Sequence, residues 1–66
     1  MAIEVNTERT EWVDGETITG LLRRKNYVYP MLVIKVNGEI VPRSQYADRL
    51  IPDGAKVEVI HLESGG

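Results

Sequence analysis

Ile3 and Val5 alternate with Ala2 and Glu4, the period of two that marks a strand with one buried face, so the chain opens on a strand. Asn6-Thr7-Glu8-Arg9 is polar enough to turn, and Thr10 to Val13, with Trp12 and Val13 as its heavy residues, is expected to return as the second strand of a hairpin. Asp14-Gly15 stops it. The period then changes: Ile18, Leu21 and Leu22 fall at i, i+3 and i+4 behind Thr17, a residue type suited to the N-cap, and predict a short helix reaching about Lys25. Gly20 lies inside this helix and costs roughly 1 kcal/mol relative to alanine, so packing on a sheet must hold it.

After Pro30, Leu32, Ile34 and Val36 alternate with Met31, Val33 and Lys35 in the most β-rich stretch of the chain, read as a central strand. Asn37-Gly38 is a strong signal for a two-residue turn with positive φ at both positions, and Glu39-Ile40-Val41 returns as a short strand. Pro42 breaks the pairing. Arg43 to Leu50 is a polar connection with room for one short helical turn, and Pro52-Asp53-Gly54 marks a further turn. Lys56 to Leu62 forms the last strand, with Val57 and Val59 on one face and Lys56, Glu58, Ile60 and Leu62 on the other. One helical stripe must be buried on one sheet. The expected fold class is therefore α+β, a roll in which a mixed sheet of about five strands carries one main helix packed across it. Residues 1–62 form the single domain, and Glu63-Ser64-Gly65-Gly66, without an apolar anchor, is expected to be a flexible tail.

Composition narrows the function more than the fold. A chain of 66 residues has room for one domain, and a domain of that size buries only ~60% of its unfolded surface. At 42% hydrophobic and 27% charged residues it is globular in composition rather than disordered. With no cysteine, it has no disulfide framework, thiolate metal site or thiol nucleophile. The N-terminus lacks a basic segment followed by an apolar run, and the roughly 18 consecutive apolar residues a membrane helix needs do not occur. A cytoplasmic location and no membrane partner are expected. A net charge of −2 offers phosphates no global attraction, and Arg23-Arg24-Lys25 reads as a solvated last helical turn favoured by the helix dipole, so no nucleic acid partner is expected.

The parts of an independent catalyst are missing as well. His61 is the only histidine, and neither Ser44 nor Ser64 has an evident histidine and carboxylate partner, so no catalytic residue is assigned and the chain reads as a non-enzyme. One histidine among scattered carboxylates makes no recognisable metal spacing, so no metal and no bound cofactor are expected. Two features remain. Ile60 and Leu62 face away from the main core just before the tail, and Val33, on the face opposite Leu32 and Ile34, extends that patch if the two strands are adjacent; a bulge in the last strand or a folded-back tail would remove it. The second feature is the terminal Gly65-Gly66. Lacking Cβ, such a pair can thread a narrow channel on another protein, although a frayed end is an equal reading of the two glycines alone.

The element order, the run Val36-Asn37-Gly38-Glu39-Ile40-Val41-Pro42-Arg43-Ser44, the turn Asp53-Gly54 and the terminal Gly65-Gly66 together resemble the ThiS family of sulfur carriers in thiamin biosynthesis, most strongly over residues 32–66. The resemblance implies a ubiquitin-like β-grasp fold. It further implies that the Gly66 carboxylate is adenylated by a partner adenylyltransferase related to ubiquitin-activating enzymes, which uses ATP, and is then converted to a thiocarboxylate. Gly65 matches the penultimate glycine that threads the channel. A sulfur donor protein and a thiazole synthase are the further partners implied, with the carrier a monomer when free. A diglycine end also occurs in the small subunit of molybdopterin synthase and in ubiquitin-like modifiers, which stay open as alternatives, as does a β-grasp interaction module without covalent chemistry.

Overall fold

The computed structural model describes residues 1–27 and 31–62. Among them lie the strands β1 (Ala2–Val5), β2 (Glu8–Glu11), β3 (Leu32–Val36), β4 (Glu39–Val41) and β5 (Lys56–His61), the helix α1 (Ile18–Arg24) and a 3-10 turn at Arg43–Gln45. The strands form one sheet in the order β2-β1-β5-β3-β4. β5 runs parallel to β1 and antiparallel to β3, and both hairpins are antiparallel. This is the expected α+β roll, the β-grasp.

The inner face of the sheet carries the residues that the alternation selected. Ile3, Val5, Ile34, Val36, Val41, Val57 and Val59 are buried against Ile18 and Leu21 of α1, with Ile51 and Ala55 closing the rim. The helix has only seven residues, too few to persist alone in water. Its ends are tied down on all sides. The Thr17 hydroxyl accepts from the Gly20 N–H at 3.2 Å, as an N-cap should, while the amides of Ile18 and Thr19 donate to the carbonyls of Arg49 and Tyr46 at 3.1 and 3.0 Å. A Cβ on Gly20 would lie 3.2 Å from the Glu16 Cγ, which accounts for a glycine inside the helix. Glu16 is fixed because Arg24 donates to both its carboxylate oxygens at 2.9 and 2.8 Å and also to the Glu11 carbonyl at 2.8 Å. Hydrogen bonding to Glu16 raises the Arg24 guanidinium still further above its ordinary value.

The basic run therefore does more than sit in solvent: Arg24 and Lys25 both hold the helix to the first hairpin, Lys25 through an ion pair with Glu8. Lys25, by its hydrogen bond first and its charge second, keeps the Glu8 carboxyl below its ordinary value. A depressed carboxyl stabilises above its unfolded value, so this tether is complete at neutral pH and is lost as pH falls through the folded-state value.

The second strand differs from expectation. It spans Glu8–Glu11 rather than Thr10 to Val13, because the hairpin turns on two residues, Asn6 and Thr7, with φ of 49° and 70°. The glycine that normally announces such a turn is replaced by a threonine, a β-branched residue rarely found at positive φ. Thr10 consequently becomes the buried residue of β2, and Trp12 passes beyond it, half-buried, with its indole N–H donating to the Ile51 carbonyl at 2.8 Å. The other hairpin turns at Asn37-Gly38 with φ of 52° and 84°, as its sequence predicts.

Both turn asparagines reach β5. Asn37 donates its backbone N–H to the Lys56 carbonyl at 2.8 Å and accepts the Lys56 N–H on Oδ1 at 2.9 Å. Asn6, from the other side, donates from Nδ2 to the Val59 carbonyl at 3.1 Å and accepts the Val59 N–H on Oδ1 at 2.8 Å.

Ile34 is fully buried at the centre of this arrangement, and Ile34→Ala should lower stability by ~2–5 kcal/mol. Chemical denaturation followed by the fluorescence of Trp12, the single tryptophan, measures this directly; a loss near zero would place Ile34 outside the core.

Candidate functional site

The outer face of the sheet is the face that α1 leaves open. Cross-strand register decides its composition: Val33 of β3 stands opposite Ile60 of β5, Lys35 stands opposite both Glu58 of β5 and Ile40 of β4, and Glu4 of β1 stands opposite Lys56 of β5 and Arg9 of β2. Each of these residues lies on the face opposite its buried neighbours. The outer face is thus divided. Towards β1 and β2 it is a lattice of opposite charges facing one another, and towards β3 and β4 it is apolar except for Lys35.

Each residue that the sequence singled out for this face can now be placed. Val33 is half-buried on β3 and directly opposite Ile60, so the adjacency that the patch required is present. Ile60 is 38% exposed and Leu62, just past the end of β5, is 48% exposed. The ladder between β3 and β5 runs without interruption from Val36↔Val57 to Leu32↔His61, and the Leu62 N–H donates to the Met31 carbonyl at 3.1 Å, so no bulge turns Ile60 inward. Gly65 and Gly66, together with Glu63 and Ser64, lie outside the described residues.

Two members of the patch went unnoticed in the sequence. Met31 is 50% exposed beside Leu62, and Ile40 is 65% exposed on β4, both on the face of Val33 and Ile60. A signal for Ile40 existed: the two-residue turn Asn37-Gly38 fixes the pairing of Lys35 with Ile40, which places Ile40 on the face of Lys35 and Val33. At the end of β5 next to this patch is a shallow cavity of about 180 Å³ lined by Met31, Leu32, Arg43 and Leu62.

Residues considered for catalysis do not converge. His61 lies level with Leu32 at the end of β5, and Ser44 lies in the 3-10 turn. Among the described residues no three His, Cys, Asp or Glu side chains are grouped to hold a metal ion, and no helix is long and apolar enough to cross a membrane. What the site offers is an apolar surface of Val33, Ile60, Leu62, Met31 and Ile40 at the point from which the chain continues to its glycines.

The profile of the ThiS family matches residues 3–66, which includes every residue of this surface and both terminal glycines. The chain belongs to the ThiS family. The sulfur carrier protein ThiS of Escherichia coli (strain K12) is 27% identical to this ThiS-family chain over 66 residues, covering all of both chains. The crystal structure of the thiamine biosynthesis protein ThiS from Geobacter metallireducens superposes with a TM-score of 0.81 at 27% identity, again over all of both chains. An NMR solution structure of a thiamine biosynthesis protein from the same organism gives a TM-score of 0.70 at 28% identity, covering all of this chain and 88% of the other.

Because Ile60 and Leu62 are held outside the core, replacing both with serine should cost less stability than Ile34→Ala alone, about 1 kcal/mol. Comparing the denaturation midpoints of the two variants tests the placement. A larger loss in the double serine variant would mean that the pair packs inside the fold.

Proposed function

We propose that this ThiS-family protein is a sulfur carrier of thiamine biosynthesis, that its working group is the carboxylate of Gly66, and that it is not itself a catalyst. A carboxylate is a poor electrophile. Attack of its oxygen on the α-phosphorus of ATP, with release of pyrophosphate, converts it to an acyl-adenylate; sulfur at the sulfide level, delivered by a donor protein, then attacks the carbonyl carbon and displaces AMP to leave a thiocarboxylate. A partner adenylyltransferase related to ubiquitin-activating enzymes supplies that catalysis, and a thiazole synthase receives the sulfur. The observation that carries this reading is the family match from residue 3 to residue 66. That the relatives above are thiamine biosynthesis proteins favours a thiazole over a pterin as the destination.

The division of labour follows from geometry. Between Leu62 and Gly66 the chain has four further residues, which reach at most ~14 Å when extended, so an enzyme acting on Gly66 must lie against the end of β5. The apolar face of Val33, Ile60 and Leu62, widened by Met31 and Ile40, supplies the docking energy there. The glycines, Gly65 among them, supply a backbone slim enough to enter the active site.

Incubation with the cognate adenylyltransferase, ATP and a sulfur donor should raise the mass of the protein by the difference between a sulfur and an oxygen atom; an unchanged mass would sink the carrier reading. Extending Gly66 by one alanine should abolish the mass change while leaving partner binding intact, since the reacting carbon is displaced by ~3.3–3.6 Å. Replacing Ile60 and Leu62 with serine should do the reverse, weakening partner affinity by about tenfold while the thiocarboxylate still forms at high partner concentration.

A further inference from the structure

β1 pairs with β5 only at Glu4↔Lys56 and Val5↔Val57, whereas β5 continues to His61. From Val57 onward β5 therefore runs past the end of its parallel neighbour. The side chain of Asn6 carries the pairing farther. Its amide donates to the carbonyl of Val59 and accepts from the N–H of the same residue, so one side chain reproduces the donor and acceptor of a strand residue that β1 does not have. This is possible because Asn6 has φ of 49°, a left-handed conformation that aims the side chain along the sheet while the backbone turns away into Thr7. Beyond the turn the outer face opens into a cleft of about 310 Å³ lined by Asn6, Thr7, Lys56, Val57, Glu58 and Ile60. Ile60, which follows Val59 directly, thus stands between the Asn6 clamp on one edge and Val33 on the other.

We infer that Asn6 is a positioning residue: by holding both backbone groups of Val59 it secures the edge of β5 that β1 leaves open, so that the end of the strand, held on its other edge by β3 as far as Leu62, stays fixed relative to the face on which an enzyme acting on Gly66 docks. The inference rests on the carrier reading above. The physical reason lies in the shortness of the tether. On the carrier reading only residues 63–66 separate Leu62 from the reacting carboxylate, so a displacement of β5 is passed to it over a short span, and a shift of about 1 Å at a reacting group is enough to cost up to two orders of magnitude in rate. Asn37 clamps the other end of β5, on Lys56, with its side-chain oxygen and its own backbone N–H, far from the exit. It supplies a control of the same chemical kind.

The test compares Asn6→Gly with Asn37→Gly. Glycine adopts positive φ freely, so each substitution keeps its turn and removes only the side-chain hydrogen bonds. Two readouts are taken: hydrogen exchange at the Leu62 amide, whose acceptor on Met31 is untouched by either change, and kcat and KM for adenylation by the cognate adenylyltransferase, both with melting temperatures recorded. Asn6→Gly should accelerate exchange at Leu62 and lower kcat about tenfold with a smaller change in KM, while Asn37→Gly keeps the parent kcat even where its melting temperature falls as far. Asn6→Asp, which retains the acceptor for the Val59 N–H but sets an oxygen against the Val59 carbonyl, should fall between parent and Asn6→Gly and serves if the glycine variant does not fold. A parent-like kcat in Asn6→Gly, equal Leu62 exchange in the two glycine variants, or kcat falling in both in proportion to melting temperature overturns the assignment. Should the parent protein itself fail to be adenylated, the carrier reading falls separately, and exchange at Leu62 still decides whether Asn6 holds the end of β5.

Discussion

The structure depends on β5 lying between β1 and β3. A strand with neighbours on both edges and a helix on one face must supply apolar residues inward, and Val57 and Val59 do so against Ile18 and Leu21 of α1. Because the two hairpins touch the rest of the sheet only through this strand, each would otherwise be an isolated pair of short strands, which is marginal at best in water. The segment nearest the glycines is thus also the one that joins the two halves of the molecule.

Two asparagines in left-handed turns solve the same local problem from opposite sides. Each turn needs a residue that tolerates positive φ, and glycine would meet that need as well. Asparagine adds a side chain that can donate and accept: Asn6 spends both on Val59, while Asn37 spends its acceptor on the Lys56 N–H beside its own backbone bond to the Lys56 carbonyl. Turn chemistry and sheet registration are therefore served by single residues, an economy suited to a domain this small.

Which parts could be read from the sequence follows from the range of the interactions involved. β3, its turn and β4 were legible because alternation and Asn37-Gly38 are local signals that agree. α1 was legible from Thr17 and the spacing of Ile18, Leu21 and Leu22. β2 was displaced because Thr7 occupies a position where glycine is the usual marker, so the turn could not be distinguished from a longer polar loop. The outward placement of Ile60 and Leu62 was visible in the period of two, but their adjacency to Val33 is a pairing between distant segments that no local pattern states. The partnership of Asn6 with Val59 spans 53 positions in sequence and left no trace in composition or periodicity. The tether of Arg24 and Lys25 to the first hairpin was hidden for the same reason, since a basic run at a helix end looks identical whether solvated or paired.

The division of the outer face has a kinetic meaning. Lys35 faces Glu58, and Glu4 faces both Lys56 and Arg9, so opposite charges interleave on this surface, three positive against two negative, and their fields largely offset one another at a distance. A face of that kind steers an approaching protein only weakly, and association without steering runs at about 10⁵–10⁶ M⁻¹s⁻¹ with little dependence on salt. On the docking proposed above, how long a complex lasts rests on the apolar part, five side chains that are each still partly covered in the free domain. Brief, salt-tolerant encounters are the regime in which one small protein can be loaded by one partner and surrendered to another.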